Sequence, residues 1–260
     1  MDLYLYRQNW FRYKMIGVFQ IVFLTLSVHQ FLTNWNATGF FLAFLIAHIW
    51  GTTGIAIIYH RIIAHRVVEV KNKFVLALMC FIGVNSICVG PAAWAFNHIQ
   101  HHRYADTDKD PHTPTKLGWK AFWYIFHQPL HPNRLSERES RRNLVLAKHL
   151  NNEVLFFFET WLYPILAIIP VTLWLTFDYS TMVYYWMWPC FLSMIGLLPS
   201  VLNHGGLLGG QKVTGQNHQA RDKYLVGYFF TPFDVNHASH HENPREDDWL
   251  NRQLRKVFNA

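Results

Sequence analysis

The chain has 260 residues, is 51% hydrophobic and 17% aromatic, and carries a formal net charge of +7, so its length suits one sizeable domain. Three cysteines without CxxC spacing (Cys80, Cys88 and Cys190) exclude a disulfide framework or a zinc knuckle and are expected to be inert and buried. The basic charge accompanies no recognisable nucleic-acid-binding module, so we expect no nucleic-acid partner.

Four apolar segments are each long enough to cross a bilayer, which takes about 20 residues in a helix. They cover residues 15–32, 39–59, 154–177 and 182–202. Aromatic and basic residues in MDLYLYRQNWFRYK form a membrane-interface belt before the first segment. No small-residue cleavage site follows, so we expect no signal peptide. The polar turns TNWNATG and DYST join the segments in pairs and predict two helical hairpins.

A fifth apolar run, residues 74–96, contains two glycines, an asparagine, a serine and Pro91, which are expected to break a helix near its middle. If this run spanned the membrane, the histidines before it and after it would lie on opposite sides. We interpret it as an interfacial segment that does not span, which places both termini on one side. None of the 23 Lys and Arg residues falls in a hairpin turn, so the positive-inside rule makes that side cytoplasmic.

Nine histidines follow the predicted spans and the interfacial segment, in the sequences YHRIIAHR, NHIQHHRYADTDKDPH, NHGG and NHASHH. The predicted topology places all nine at the cytoplasmic membrane boundary or just beyond it, so separate segments deliver imidazoles to one place. Imidazole is a borderline-soft metal ligand as well as a proton shuttle. The candidate metal ligands are His60, His65, His98, His101, His102, His204, His237, His240 and His241.

The spacing of these histidines bears on how many ions they hold. Offsets of three and four return a helical side chain to within about 60° of its start, so each HxxHH pattern points three imidazoles at one locus. His60 and His65 lie about 140° apart on a regular helix, and serve either two different ions or one ion after local unwinding. Nine imidazoles exceed the six places of an octahedral ion, so two ions with open positions fit better. An all-nitrogen ligand set favours iron, copper or zinc.

The patterns HxxxxH, HxxHH and HxxHH between paired membrane spans resemble the histidine boxes of the membrane fatty acid desaturase family. HHRYADTDKDPH is similar to the acyl-CoA and acyl-lipid delta-9 branch, whose second box runs into a comparable acidic stretch. The resemblance implies an all-α integral membrane fold with four transmembrane helices in two hairpins. It also implies a cytoplasmic helical cap that carries the metal site, with residues 1–260 forming a single membrane desaturase-like domain.

This family implies a non-haem di-iron centre that uses O2 and two electrons to place a double bond in an acyl chain. Its box ligands correspond to the eight box histidines, and His204 matches the extra histidine that the branch has after its fourth span. Position 200, where the branch usually has an asparagine, is serine here, and Asn203 lies next to His204. Candidate partners that hydrogen-bond to the ligands are Asn97, Asn203, Asn236 and His112, although helix capping explains the asparagines equally well.

The chemistry agrees with this resemblance, because side-chain acids and bases cannot attack an unactivated methylene. A metal-bound oxidant can, while the protein binds and orients the chain and excludes water. We predict a delta-9-like desaturase that acts on an acyl-CoA, acyl-lipid or carrier-bound chain. A membrane hydroxylase or related oxygenase remains an alternative, because it needs the same ligands. A histidine-rich metal transporter is disfavoured, because its ligands would lie near the bilayer midplane.

Two further expectations concern partners. No heme-binding HPGG segment occurs in the sequence, so we expect a separate electron donor, either a ferredoxin or a cytochrome b5-type protein. The segment from Arg103 to Glu153 has nine basic and six acidic residues, which suits an acidic donor, anionic membrane lipid or the phosphate end of an acyl carrier.

Glu159 is expected to be a boundary residue of the third span.

Overall fold

The computed structural model describes residues 3–87, 89–107, 110, 152–195, 204, 237–245 and 248–258, with the backbone alone at residues 3–17, 87, 194, 195 and 237. All secondary structure in these ranges is helical, as predicted, and no strand occurs among them. In chain order the helices are α1 (Leu3–Thr33), α2 (Ala37–Trp50), a π-helix (Gly51–Ala64), α3 (Lys73–Ile87), α4 (Pro91–Tyr104), α5 (Glu153–Thr160), α6 (Leu162–Thr176), α7 (Tyr179–Met182), a short π-turn (Val183–Met187), α8 (Trp188–Ile195), α9 (His237–Glu242) and α10 (Trp249–Phe258).

The two predicted hairpin turns meet at one end of the helices. Asn36 and Asp178 cap α2 and α7 through side-chain oxygens that accept from the backbone N–H three residues on. Gln30 Nε2 donates to Ser180 Oγ at 2.8 Å, and the Tyr184 hydroxyl accepts from the Asn36 N–H at 3.0 Å. These contacts join the first turn to the second, so both turns lie on the same side of the described structure.

One described helix, Ala37–Ala64, is long and apolar enough to cross a membrane. Two bent pairs pass the same test when each is taken together: α3 with α4, bent by 74°, and α5 with α6, bent by 66°. The apolar part of α1, Val18–Thr33, is shorter. The described residues therefore contain one helix that suits a span, or up to three if each bent pair is one span.

The sequence predicted one continuous span over residues 154–177, whereas the structure divides it into α5 and α6. Pro164 gives the physical reason, because a proline has no N–H to donate and its ring conflicts with the carbonyl four residues earlier. That carbonyl belongs to Thr160, where α5 ends. The helix therefore bends between Thr160 and Leu162, and Glu159 lies at the bend.

The fifth apolar run is also broken, as the sequence predicted, within the group of helix-breaking residues from Gly83 to Pro91. Helix α3 continues through Gly83 to Ile87, and α4 begins at Pro91. Gly83 is needed for close packing, since a Cβ there would lie 2.8 Å from Tyr59 Cζ. The Tyr59 hydroxyl in turn donates to the Val89 carbonyl at 2.8 Å, in the link between the helices. The break in the helix therefore follows Gly83 instead of occurring at this residue.

The main hydrophobic core lies among α1, α3, α4, α5, α6, the π-helix and the π-turn. Trp186 is buried at its centre, packs edge-on against Phe23 and donates from Nε1 to Asn85 Oδ1 at 3.1 Å. Large apolar side chains face outward, among them Phe41 and Leu175, which are 72% and 78% exposed. An outward apolar surface over a packed core is what helices in contact with lipid require.

Candidate metal centre

The first histidine box lies at the end of the π-helix, where each N–H bonds to the carbonyl five residues earlier. His65 N donates to the His60 carbonyl at 3.0 Å, so one π-turn closes between the two histidines. Their ring centroids consequently lie 4.9 Å apart. Of the two arrangements that the spacing left open, the structure therefore has the one in which both rings join one cluster.

Two serines stabilise the place where α2 becomes the π-helix. Ser193 Oγ donates to the Ala47 carbonyl at 2.9 Å, and Ser86 Oγ donates to the Trp50 carbonyl at 3.0 Å. A change of helical register alters which backbone carbonyls are satisfied within the helix, and side-chain donors can bond them instead. Both donors come from other helices, α8 and α3, so tertiary packing supports the local register.

The second histidine box lies in the last two turns of α4. The N-terminus of this helix is capped from α5, because Ala93 N donates to Glu159 Oε1 at 2.7 Å. Gly90 makes room for the carboxylate, since a Cβ at this position would collide with it. Glu159 is therefore more than the boundary residue that the sequence predicted: it stabilises the helix that carries three candidate ligands.

The third box lies on α9, and the segment after it clamps the first box. Arg61 Nη1 donates to Asp248 Oδ2 at 2.5 Å and to Asn251 Oδ1 at 2.7 Å. Arg245 Nε donates to the His65 carbonyl at 2.6 Å. The described end of the chain thus ties α10 to the end of the π-helix.

The larger cluster draws imidazoles from all three boxes, with candidate ligand atoms that all lie within 4.8 Å of one another. Its members are His60, His65, His98, His102 and His240. The Nε2 atoms of His60 and His240 lie 2.7 Å apart, and those of His65 and His98 lie 2.9 Å apart. Both ring nitrogens of His102 are buried without a hydrogen-bond partner among the described residues. Converging nitrogens and an unsatisfied buried ring fit a bound cation.

The smaller cluster contains His101, His204 and His241. The Nε2 atoms of His101 and His204 lie 2.9 Å apart, and the ring of His241 lies 4.9 Å and 4.7 Å from the rings of His101 and His204. His101 Nδ1 lies 3.0 Å from both carboxylate oxygens of Asp110. His204 Nδ1 lies 3.2 Å from Asp106 Oδ2. His204, the histidine after the fourth predicted span, therefore lies beside histidines of the second and third boxes.

The two clusters are neighbours, because the adjacent residues His101 and His102 belong to different ones. The rings of His102 and His241 stack across the boundary with centroids 4.1 Å apart and planes 15° apart. All these candidate ligand atoms are imidazole nitrogens, a set that suits iron, copper or zinc better than magnesium or calcium. The arrangement therefore fits a centre for two neighbouring transition-metal ions.

Burial also keeps two rings of the larger cluster, those of His98 and His102, in the form that binds metal. Burial first, and then the neighbouring imidazoles, hold the pKa values of His98 and His102 well below that of ordinary histidine. Trp94 stacks on His98 with ring centroids 4.8 Å apart and planes 11° apart. Neutral imidazole has a free nitrogen lone pair near pH 7, which a metal ion requires.

The structure brings eight of the nine predicted ligands into the two clusters. His237 begins α9, but its side chain lies outside the described part of the chain. Of the predicted hydrogen-bonding partners, Asn203, Asn236 and His112 lie outside the described residues. Asn97 is buried, and its Nδ2 has no hydrogen-bond partner among the residues that the structure describes. The role of Asn97 as a hydrogen-bonding partner of the ligands stays a prediction.

Sequence reasoning missed the carboxylates that do contact the histidines, Asp106 and Asp110. These acidic residues are visible in the sequence ADTDKDP, just after the second box, but they were interpreted only as a similarity to the desaturase family and not as partners of the histidines. It also missed the cap by Glu159 and the buried Arg61, whose partners are distant in sequence. No spacing rule links residues that meet only after folding.

Comparisons with known proteins agree with the geometry. The chain is 34% identical over 100 residues to the sn-1 stearoyl-lipid 9-desaturase of Anabaena variabilis, covering 38% of the chain and 36% of that protein. It is 36% identical over 75 residues to the Delta-9 acyl-lipid desaturase 1 of Arabidopsis thaliana, covering 29% and 24%. It is 30% identical over 96 residues to the Acyl-CoA 5-desaturase AL21 of Anemone leveillei, covering 37% and 28%.

The matched stretches thus span at most 36% of the length of these three relatives. The family model described as Fatty acid desaturase extends much further, over residues 33–258. That range includes every helix that carries a histidine box. The resemblance inferred from the boxes is confirmed, and the chain belongs to the fatty acid desaturase family.

Proposed function

We propose that the protein is an O2-dependent di-iron fatty acyl desaturase that introduces a double bond into a saturated acyl chain. The observation that carries this proposal is the pair of adjacent histidine clusters, built from all three boxes and His204. Family membership supports the reaction class, and relatives named as 9-desaturases support a delta-9-like position.

The clusters suggest how the ligands divide between two ions. The larger cluster would hold one ion through its five imidazoles, and the smaller would hold the second through three. His237 is the proposed further ligand of the second ion, because it lies one helical turn before His240 and His241. The buried, unsatisfied ring nitrogens of His102 support a cation on the larger cluster.

Bound iron would supply, with O2 and two electrons, the oxidising power that removes hydrogen from an unactivated methylene pair. The protein's own residues hold the site in place for that chemistry. Burial of the rings excludes water, and the stack of Trp94 on His98 fixes one ligand plane. The clamp of Arg61 holds the first box against the segment that follows the third, and Glu159 caps the helix that carries the second box.

We propose four spans in two hairpins, with both termini and a helical cap that carries the histidine clusters on the cytoplasmic side. The contact of Gln30 with Ser180 supports this topology, because it joins the two hairpin turns at one end. The bend of 74° between α3 and α4 supports an interfacial or re-entrant course for the fifth apolar run. In this topology residues 1–260 form a single membrane domain.

The proposed substrate is an acyl chain attached to a lipid, to coenzyme A or to a carrier, as the relatives' names include both acyl-lipid and acyl-CoA desaturases. Because the reaction consumes two electrons, a separate ferredoxin or cytochrome b5-type donor is proposed. The nine basic residues between Arg103 and Glu153 offer attraction for an acidic donor.

Expression in a host with a compatible reductase tests the activity, with lipid fatty acids read by mass spectrometry. The wild-type chain should produce a new monounsaturated acid, whereas His240→Ala should produce none. His48→Ala is the matched control, because His48 is an exposed imidazole on α2 away from both clusters. An alcohol in place of an alkene would show a hydroxylase and contradict the proposal.

Metal content tests the division of ligands. His204→Ala should take the purified protein from about two irons per chain towards one, because it removes one of three described ligands of the smaller cluster. Activity should be lost with that iron. A variant that retains both irons and normal turnover would remove His204 from the site.

A further inference from the structure

Two buried carboxylates stand behind the smaller cluster, on the side of the rings away from the converging nitrogens. Asp110 contacts His101 Nδ1 through both oxygens at 3.0 Å, and Asp106 contacts His204 Nδ1 at 3.2 Å. Their side chains are 0% and 6% exposed. The opposite ring nitrogens, Nε2 of His101 and His204, face each other at 2.9 Å.

The turn after α4 is folded so that both carboxylates aim at the cluster. Asp106 N donates to Asp110 Oδ2 at 2.9 Å, and Asp110 N donates to the Thr107 carbonyl at 3.1 Å. Asp106 has a φ of 61°, in the left-handed region that residues other than glycine rarely adopt. Such a conformation costs on the order of 1 kcal/mol and persists when surrounding contacts fix it. Here those contacts are the carboxylate–histidine pairs.

A neutral imidazole that binds metal through Nε2 carries its proton on Nδ1. A carboxylate that accepts this proton fixes the tautomer and the ring orientation, and makes Nε2 a stronger ligand. At His101 and at His204, a carboxylate lies at Nδ1 and Nε2 faces the cluster. The position of Asp110 at Nδ1 also separates its role from direct ligation, since the ion would lie beyond Nε2.

We propose that Asp110 and Asp106 are positioning residues that hold His101 and His204 in the Nδ1–H form and set the affinity of the smaller cluster for its ion. This inference rests on the proposed function, because it requires that the smaller cluster bind metal. It gives the acidic stretch after the second box a defined role, in which one carboxylate serves a histidine of the box and the other serves the histidine after the fourth predicted span.

Cobalt titration of the full-length protein tests this inference without turnover. The metal-free protein in detergent is titrated with Co²⁺ against a competing chelator, and visible absorption reports the coordination of each equivalent. The wild type should bind about two equivalents. Asp110→Ala should weaken one of them by about 10–100-fold and leave the other unchanged. Asp110→Asn should weaken the same equivalent less, because the amide oxygen can still accept a hydrogen bond but carries no charge.

Asp106→Asn provides a second variant, with a smaller loss expected from its single contact at 3.2 Å. Glu153→Gln is the matched control, because it neutralises an exposed carboxylate paired with Lys73. Unchanged binding of both equivalents in the Asp110 and Asp106 variants would overturn the inference, as would equal weakening of both. A wild-type protein that binds no Co²⁺ would contradict the proposed function itself, and the inference with it.

Discussion

His65 N donates to the carbonyl of His60 at 3.0 Å, a hydrogen bond between residues five apart that closes a π-turn inside the candidate metal centre. An α-helical turn would direct these two rings about 140° apart. The π-turn instead brings their centroids within 4.9 Å. The larger cluster therefore depends on a helical register that is rare over 14 residues and needs support from its neighbours.

Gly54→Ala tests that support. A Cβ at Gly54 would lie 2.7 Å from Ser86 Cβ, so α3 would be pushed away from the π-helix. Such overpacking costs about 1–3 kcal/mol, and we expect a lower unfolding temperature together with loss of metal from the larger cluster. Thermal unfolding in detergent and metal analysis measure the two effects.

Gly51→Ala is the control for this change, because a Cβ at Gly51 meets nothing closer than Ser193 at 3.9 Å. Alanine is also a better helix former than glycine, by about 1 kcal/mol. We expect Gly51→Ala to keep its metal and its stability. Equal behaviour of the two variants would show that close packing at Gly54 does not fix the register.

Replacement of Glu159 should loosen α4. Glu159→Ala removes the acceptor for Ala93 N, and loss of such a cap costs about 1 kcal/mol. Glu159→Gln retains an acceptor oxygen and should cost less. Thermal unfolding ranks the stability of the two variants, and Glu153→Gln, which changes an exposed carboxylate, is the control. If Glu159→Ala unfolded at the wild-type temperature, the cap would not contribute to stability.

The clamp on α10 should be strong because Arg61 is buried. Asp248→Ala removes the carboxylate 2.5 Å from Arg61 Nη1 and should destabilise the protein by about 3 kcal/mol, since it leaves a buried charge poorly compensated. Lys73→Ala breaks an exposed ion pair with Glu153 and should cost about 0–1 kcal/mol. Chemical unfolding measures both, and limited proteolysis should cut the C-terminal helix faster only in Asp248→Ala.

The proposed topology predicts which positions share a side of the membrane. Single cysteines at Asn34 and Ser180 should react with an impermeant thiol reagent from the side opposite to a cysteine at Asn243, which follows the third box. The native Cys80 and Cys190 are buried and should give little background. Cys88 lies outside the described residues, so it is replaced by serine in every labelled variant. Labelling of Asn34 and Asn243 positions from the same side would contradict the four-span arrangement.

Much of the candidate site follows from local sequence. Helical offsets of three and four predict that the histidines of each HxxHH box lie on one side of a helix, and the long apolar runs predict helices at a membrane. The break near Pro91 was also predicted, although α3 continues through Gly83 until Ile87. The bend at Thr160 was missed, even though Pro164 follows it by four residues, because length and hydropathy alone do not register a single proline.

The ligand type, the box spacing and the family reside in residues near one another along the chain, so the amino-acid sequence is enough to specify them. The division of the histidines depends on packing, which places His101 and His102 in different clusters. Packing also selects the π-register that brings His60 and His65 together. The physical reason is that the donors and acceptors that fix these choices, among them Ser86 and Glu159, come from other helices and meet their partners only when the chain is folded.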